Sequence, residues 1–230
     1  RMSRRGGYSE GFMQRFGCYD EATREKLSDG SKIWVHAVSV GEVFVALKFM
    51  DEIRTRKEGQ RFVLTVTTST GRDVAVKNMS KEDVLLYFPV DFPCVAKRVL
   101  GTIKPTALIL TEGELWPNLI RYASMRDIPV VIINGRMSES SARGYRKLSF
   151  FAKRILGMID LILVQSEVDA KRFRDLGARE AEPGLGHVNK THQSVYGHAR
   201  LLGRVEMLEF LGNAHDERTV HTAGVQEAFA

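Results

Sequence analysis

A doubly wound α/β domain on a parallel sheet is the fold this sequence predicts, and two observations predict it. From Lys32 onward short runs of Val, Ile and Leu recur, apolar at most positions, which is what strands covered on both faces require. Longer amphipathic stretches alternate with them. That repeat places helices on both faces of one sheet, joined by right-handed crossovers.

In chain order, the strand candidates are Ile33–Val38, Phe62–Val66, Val84–Phe88, Ala107–Leu110, Val130–Ile133 and Leu161–Val164. Helical spacing falls near residues 42–57, 70–79, 93–103, 117–126, 138–158 and 167–176. The first helix shows it at Val43, Ala46, Leu47, Met50 and Ile53. A helix from Ser138 to Met158 would turn Leu148, Ala152, Ile155 and Ile159 to the core. Arg143, Lys147, Phe150 and Arg154 then share a different face, and basic residues around an exposed aromatic suit a membrane interface. By composition the chain divides into a basic segment at 1–29, a folded domain at 30–180 and an atypical tail at 181–230.

The chain has 230 residues, 43% of them hydrophobic, enough for one large core. Cys18 and Cys94 lie far apart without metal-like spacing, so free thiols in a reducing compartment are expected. No apolar run reaches the roughly 18 residues of a spanning helix, which makes the expected chain soluble or peripheral. The net charge of +6 is concentrated at Arg1, Arg4, Arg5 and Arg15 and between Arg143 and Arg154. Such patches suit phosphates, anionic lipid or nucleic acid, but no nucleic-acid-binding module accompanies them. His36 is the one histidine before residue 187, and a lone histidine on an apolar strand reads as a core residue rather than a metal ligand.

Ligands of such sheets sit beyond the carboxyl ends of the strands, where four turns are unusual. After the first strand comes Ser39-Val40-Gly41-Glu42. Its spacing favours a capping box, which makes Glu42 structural, over a carboxylate at a cleft mouth, where it could serve as a general base. After the second, Thr67-Thr68-Ser69-Thr70-Gly71 offers hydroxyls at a helix start, as an N-cap or as contacts to phosphate or sugar. Glu112-Gly113-Glu114-Leu115-Trp116-Pro117 follows the fourth strand, and Asn134-Gly135-Arg136-Met137-Ser138, with its anion-binding arginine, follows the fifth.

Together HAVSVGEV, TTSTG, YFPVDFP, LTEGELWPNLI, IPVVIINGRMSESSARGYRK and LVQSEVDAKRFRDLGA closely resemble the N-terminal half of bacterial 3-deoxy-D-manno-octulosonic acid (Kdo) transferases, from about Arg4 to Ala178. The resemblance implies the Rossmann-like N-terminal half of a two-domain GT-B glycosyltransferase. Such enzymes move Kdo from CMP-Kdo, their donor substrate, to a lipid A precursor in lipopolysaccharide synthesis, at the cytoplasmic face of the bacterial inner membrane. No cofactor or metal is implied. It places the catalytic base on Glu42 and a transition-state-supporting carboxylate on Glu112. Acceptor contacts fall on Ser39, Gly41, Thr68, Ser69, Thr70, Gly71, Asn134, Arg136 and Ser138. Arg143, Lys147, Phe150 and Arg154 become a docking face for membrane and acceptor.

Two departures stand out. Gly113 replaces a threonine of the family pattern Glu-Thr-Glu-Leu-Trp-Pro, which is expected to loosen that turn. After Glu182 neither the expected Gly-Asn-Leu-Lys nor a nucleotide-sugar domain follows, and residues 183–230 carry five of the six histidines. His187, His192 and His198 share no helical face. The expectation is a truncated transferase, inactive alone, with a foreign or frame-shifted tail. A non-catalytic α/β module for anionic lipid or phosphate, and a different GT-B transferase, remain alternatives.

Overall fold

The computed structural model describes residues 11–28 and 32–178, together with a two-residue strand at Val195–Tyr196. Their strands form one sheet: β1 (Ile33–Ala37), β2 (Phe62–Val66), β3 (Val84–Tyr87), β4 (Ala107–Thr111), β5 (Val130–Gly135), β6 (Leu161–Val164) and β7 (Val195–Tyr196). The order is β3-β2-β1-β4-β5-β6-β7. Strands β1 to β6 are parallel, and β7 pairs antiparallel with β6. The sheet grows from β1 towards β3 and then restarts on the other side of β1 with β4. Crossovers therefore diverge between β1 and β4, which opens a crevice at the carboxyl ends of these strands.

Alternate strand residues supply two cores. Trp34, Val63, Leu86, Leu108, Leu110 and Ile132 belong to one. It is covered by α1 (Glu21–Leu27), α4 (Pro93–Ile103), α5 (Pro117–Ser124), α7 (Ser149–Leu156) and α8 (Glu167–Asp175). Val35, Leu64, Val66, Ile109 and Ile133 face the other, under α2 (Val40–Arg56) and α3 (Ser69–Asn78). Each buried Val, Leu or Ile contributes roughly 1.5–3 kcal/mol. A one-residue slip would exchange the two faces of every strand, so packing on both sides fixes the register that carries the turns.

Two regions differ from the sequence expectation. The single helix at 138–158 is two helices, α6 (Glu139–Lys147) and α7, broken at Leu148 (φ −115°, ψ 37°). The Leu148 amide donates to the Tyr145 carbonyl in a tight three-residue turn. Both halves pack on the same core, α6 through Ala142 and the partly buried Tyr145, which also lines a cleft, and α7 through Ile155 and Leu156. Leu148, expected to be a core residue, is 63% exposed at the junction. One helical face therefore does not join Arg143 and Lys147 to Phe150 and Arg154, although all four are exposed.

The second difference is at the start, where a short 3-10 helix (Phe12–Phe16) and α1 cover the sheet. Gln14 Oε1 accepts the Tyr87 amide of strand β3, and the Arg15 carbonyl accepts the Val90 amide. Arg15 stacks over the Tyr87 ring at 4.7 Å and donates to the Thr67 carbonyl. Gly11 (φ 75°) makes this approach possible, since a Cβ there would lie 2.4 Å from the Tyr87 ring.

Among the described residues no helix is long and apolar enough to cross a membrane. Apart from Val195–Tyr196, the tail, with His187, His192 and His198, lies outside the described residues.

Candidate functional site

The turn after β1 folds as its spacing suggests. Ser39 caps α2 by accepting the Glu42 amide, and the Glu42 carboxylate reaches back to the Ser39 amide at 3.0 Å, completing the capping box. The carboxylate does more than cap. Its Oε2 also accepts the Val38 amide at 2.9 Å and the Thr111 hydroxyl at 2.8 Å. The side chain is 5% exposed, so the expected position open at a cleft mouth is corrected to a seat behind it. Burial of this charge is sustainable because three donors converge on it. Thr111 closes β4, so its hydroxyl spans the switch point and ties the turn after β4 to the head of α2.

The turn after β4 is opposite in character. Glu112 stands in the left-handed region (φ 62°), an uncommon place for a residue with a side chain. Burial, and then the negative charge of Glu42, push its carboxyl above the ordinary range, while Arg136 pulls it down. Glu114 is raised by burial, then by Glu42 and Glu112. Glu112 and Glu114 thus both feel the charge of Glu42 at the crevice.

Beside them lies a cleft of about 580 Å³ lined by Glu112, Glu114, Trp116, Arg136, Ser138 and Tyr145, among others. Its walls are pinned from outside. Asp91 accepts the amides of Asn118 and Leu119, capping α5, whose own N-cap Trp116 makes no side-chain cap bond. Asp169 accepts the Met137 amide, and Arg172 donates to the Met137 carbonyl. The Trp116 ring packs against Phe88 at 4.5 Å and edge-on to His36 at 5.8 Å. His36 itself is stacked on Phe88 at 3.5 Å, its Nδ1 3.0 Å from the Thr65 carbonyl oxygen. Burial pulls it down to about 3, so it is a neutral core residue.

Of the residues singled out in the sequence, Glu112, Arg136 and Ser138 share this cleft. Ser138 also caps α6. Ser39, Gly41 and Glu42 form the adjoining turn, joined to it through Thr111. Thr68 caps α3 by accepting the Gly71 amide, and the Thr68–Gly71 turn does not line the cleft; Ser69 and Thr70 open that helix. Asn134 (φ 56°) accepts from the Gln165 side chain. Sequence reasoning missed Thr111, Asp91, Tyr145 and Asp169. Two of them carried a signal: Thr111 is the hydroxyl ending an otherwise apolar strand, and Asp91 is the acid between two prolines in FPVDFP.

An open parallel sheet with carboxylates at its switch point and a polar cleft over its strand ends defines a doubly wound ligand-binding domain. Residues 10–187 match the family described as 3-Deoxy-D-manno-octulosonic-acid transferase (kdotransferase), and the chain belongs to that family. It is 31% identical over 170 residues to a 3-deoxy-D-manno-octulosonic acid transferase of Haemophilus influenzae, covering 74% of this chain and 39% of the relative. A transferase of the same description from Chlamydia pneumoniae is 29% identical over 176 residues, 76% of this chain and 40% of the relative. A bifunctional glycosyltransferase/methyltransferase of Fusobacterium nucleatum is 37% identical over 165 residues, 70% of this chain and 26% of that protein. The chain therefore matches two fifths or less of the length of these relatives.

Proposed function

We propose that this chain is the acceptor-binding half of a Kdo transferase, which moves Kdo from CMP-Kdo to a lipid A precursor. The observation that carries the reading is the placement of Glu42 and Glu112 on either side of the β1/β4 switch point, next to a cleft that holds Arg136. In this reading Glu42 is the general base. It takes the proton of the acceptor hydroxyl as that oxygen bonds to the anomeric carbon and CMP departs with the electrons of the broken C–O bond. Oε1 accepts one amide, from Ser39, and retains a lone pair for that hydroxyl. Glu112, in its ionised form, which the charge of Arg136 favours, stabilises positive charge developing at the anomeric centre.

Arg136 and Ser138 face the phosphorylated sugar, while the Ser39–Gly41 and Thr68–Gly71 turns and Asn134 flank it. The exposed Arg143, Lys147, Phe150 (81% exposed) and Arg154 lie against the anionic cytoplasmic face of the inner membrane, where the acceptor is embedded. The burial of Glu42 and the three donors already on its carboxylate favour a second reading, a module that binds anionic lipid without catalysis.

Binding of a lipid A precursor in detergent, with and without its phosphates, tests the shared part: loss of binding on dephosphorylation is expected, and equal binding overturns it. In an enzyme carrying this half together with a nucleotide-sugar-binding half, Glu42→Gln separates the two readings. The base assignment expects a roughly 10²–10⁴-fold loss of transfer with acceptor binding retained. Near-normal transfer excludes Glu42 as the base.

A further inference from the structure

The turns after β4 and β5 meet backbone to backbone at Gly113. A Cβ on that residue would stand 2.3 Å from the Arg136 carbonyl oxygen and 3.3 Å from its carbonyl carbon, with the Phe173 ring at 3.4 Å. The first of these is closer than real Cβ atoms come, and the obstacle is main chain, which cannot swing aside as the end of a side chain can.

Both turns are held against each other by further contacts. Behind Arg136, the Met137 amide is held by Asp169 at 2.9 Å and its carbonyl by Arg172 at 2.7 Å, with Met137, Asp169 and Phe173 all buried. On the other side, Glu112 is already in the left-handed region, and its amide donates to the Ile133 carbonyl at 3.0 Å. Both turns line the same cleft. The expectation that glycine loosens this turn is thus reversed: its missing side chain lets two constrained turns close on each other.

We propose that Gly113 is a positioning residue that sets the separation of the Glu112 and Arg136 turns, and with it the distance between the carboxylate and the guanidinium that an acceptor's anionic group meets on entering the cleft. The ligand class rests on the function proposed above; the geometric part does not. A larger residue at 113 drives the Arg136 turn outward, widening this end of the cleft and separating the two charges. Because Arg136 holds the Glu112 carboxyl down against burial and the Glu42 charge, their separation has a readable consequence.

The test is a carboxyl-carbon NMR titration of Glu112 in the full chain, which needs no transfer activity and so stands apart from any failure of the transferase reading. Gly113→Ala and Gly113→Thr are compared with the parent and with Arg136→Gln. The Glu112 midpoint is expected to move up in all three variants. Gly113→Thr combined with Arg136→Gln should add little to Arg136→Gln alone, because both remove the same influence. A folded Gly113 variant with an unmoved midpoint, or a double variant showing two full additive shifts, overturns the proposal. If neither Gly113 variant folds, Arg172→Met releases the same turn from behind with residue 113 untouched. It should also raise the midpoint, and an unchanged titration there counts equally against the role.

Discussion

Glu42 and Glu112 follow neighbouring strands of one sheet, yet the chain treats their carboxylates in opposite ways. At the end of β1 the charge is buried and met by two amides and a hydroxyl, within a capping box that also starts a 17-residue helix. At the end of β4 the carboxylates of Glu112 and Glu114 accept no hydrogen bond from the described residues, and the backbone bearing Glu112 is left-handed. One seat is held in place by the fold. The other is held in place against local preference.

The comparison can be broken most decisively at the seat. Glu42→Ala strands the Val38 and Ser39 amides and removes half the capping box, and should cost about 3 kcal/mol in urea unfolding. A loss below about 1 kcal/mol would mean that water replaces the carboxylate freely. Next in size, Thr111→Val keeps the shape but deletes the hydroxyl shared by Glu42 Oε2 and the His36 carbonyl, each 2.8 Å away. About 1.5 kcal/mol of destabilisation is expected, and Thr111→Ser should recover most of it.

At the other seat the sign should invert. Glu112→Gly removes the side chain that makes the left-handed conformation costly, and should stabilise the chain by about 1 kcal/mol. A destabilised variant would show that Glu112 contributes packing the comparison overlooks. The smallest effect concerns pH. Glu112 and Glu114 are raised above the ordinary glutamate value of 4.5, so in the window just above it the folded chain holds more protons than the unfolded one. Stability then falls as pH rises through that window. Glu114→Gln should flatten this decline, leaving acid stability unchanged and raising the melting temperature at neutral pH. A melting curve that moves equally at both pH values would assign the effect to something other than charge.

The sheet was legible because doubly buried strands write their own pattern: FVLTV and LILV were bounded to the residue by composition alone. The capping box was equally visible as Ser39-x-x-Glu42. The break at Leu148 was not, because the apolar spacing runs through it as it would in one continuous helix. Thr111, Asp91 and Asp169 act on residues 27 to 69 positions away, separations that no local window reads. The sequence located the turns after β1 and β4; the fold supplied the tie between them.

The segment laid along β3 has a further meaning for the molecule in a crowded cell. That strand ends the sheet, and an uncovered terminal strand is a template on which another chain can add its own strand. Gln14 occupies the Tyr87 amide, and the Arg15 guanidinium covers the Tyr87 ring. The short helix at Phe12–Phe16 thus serves as a guard against edge-to-edge self-association. Trimming the protein at residue 30 to isolate the sheet would uncover that template, and the shortened domain would be prone to precipitate even with every residue of its cleft intact.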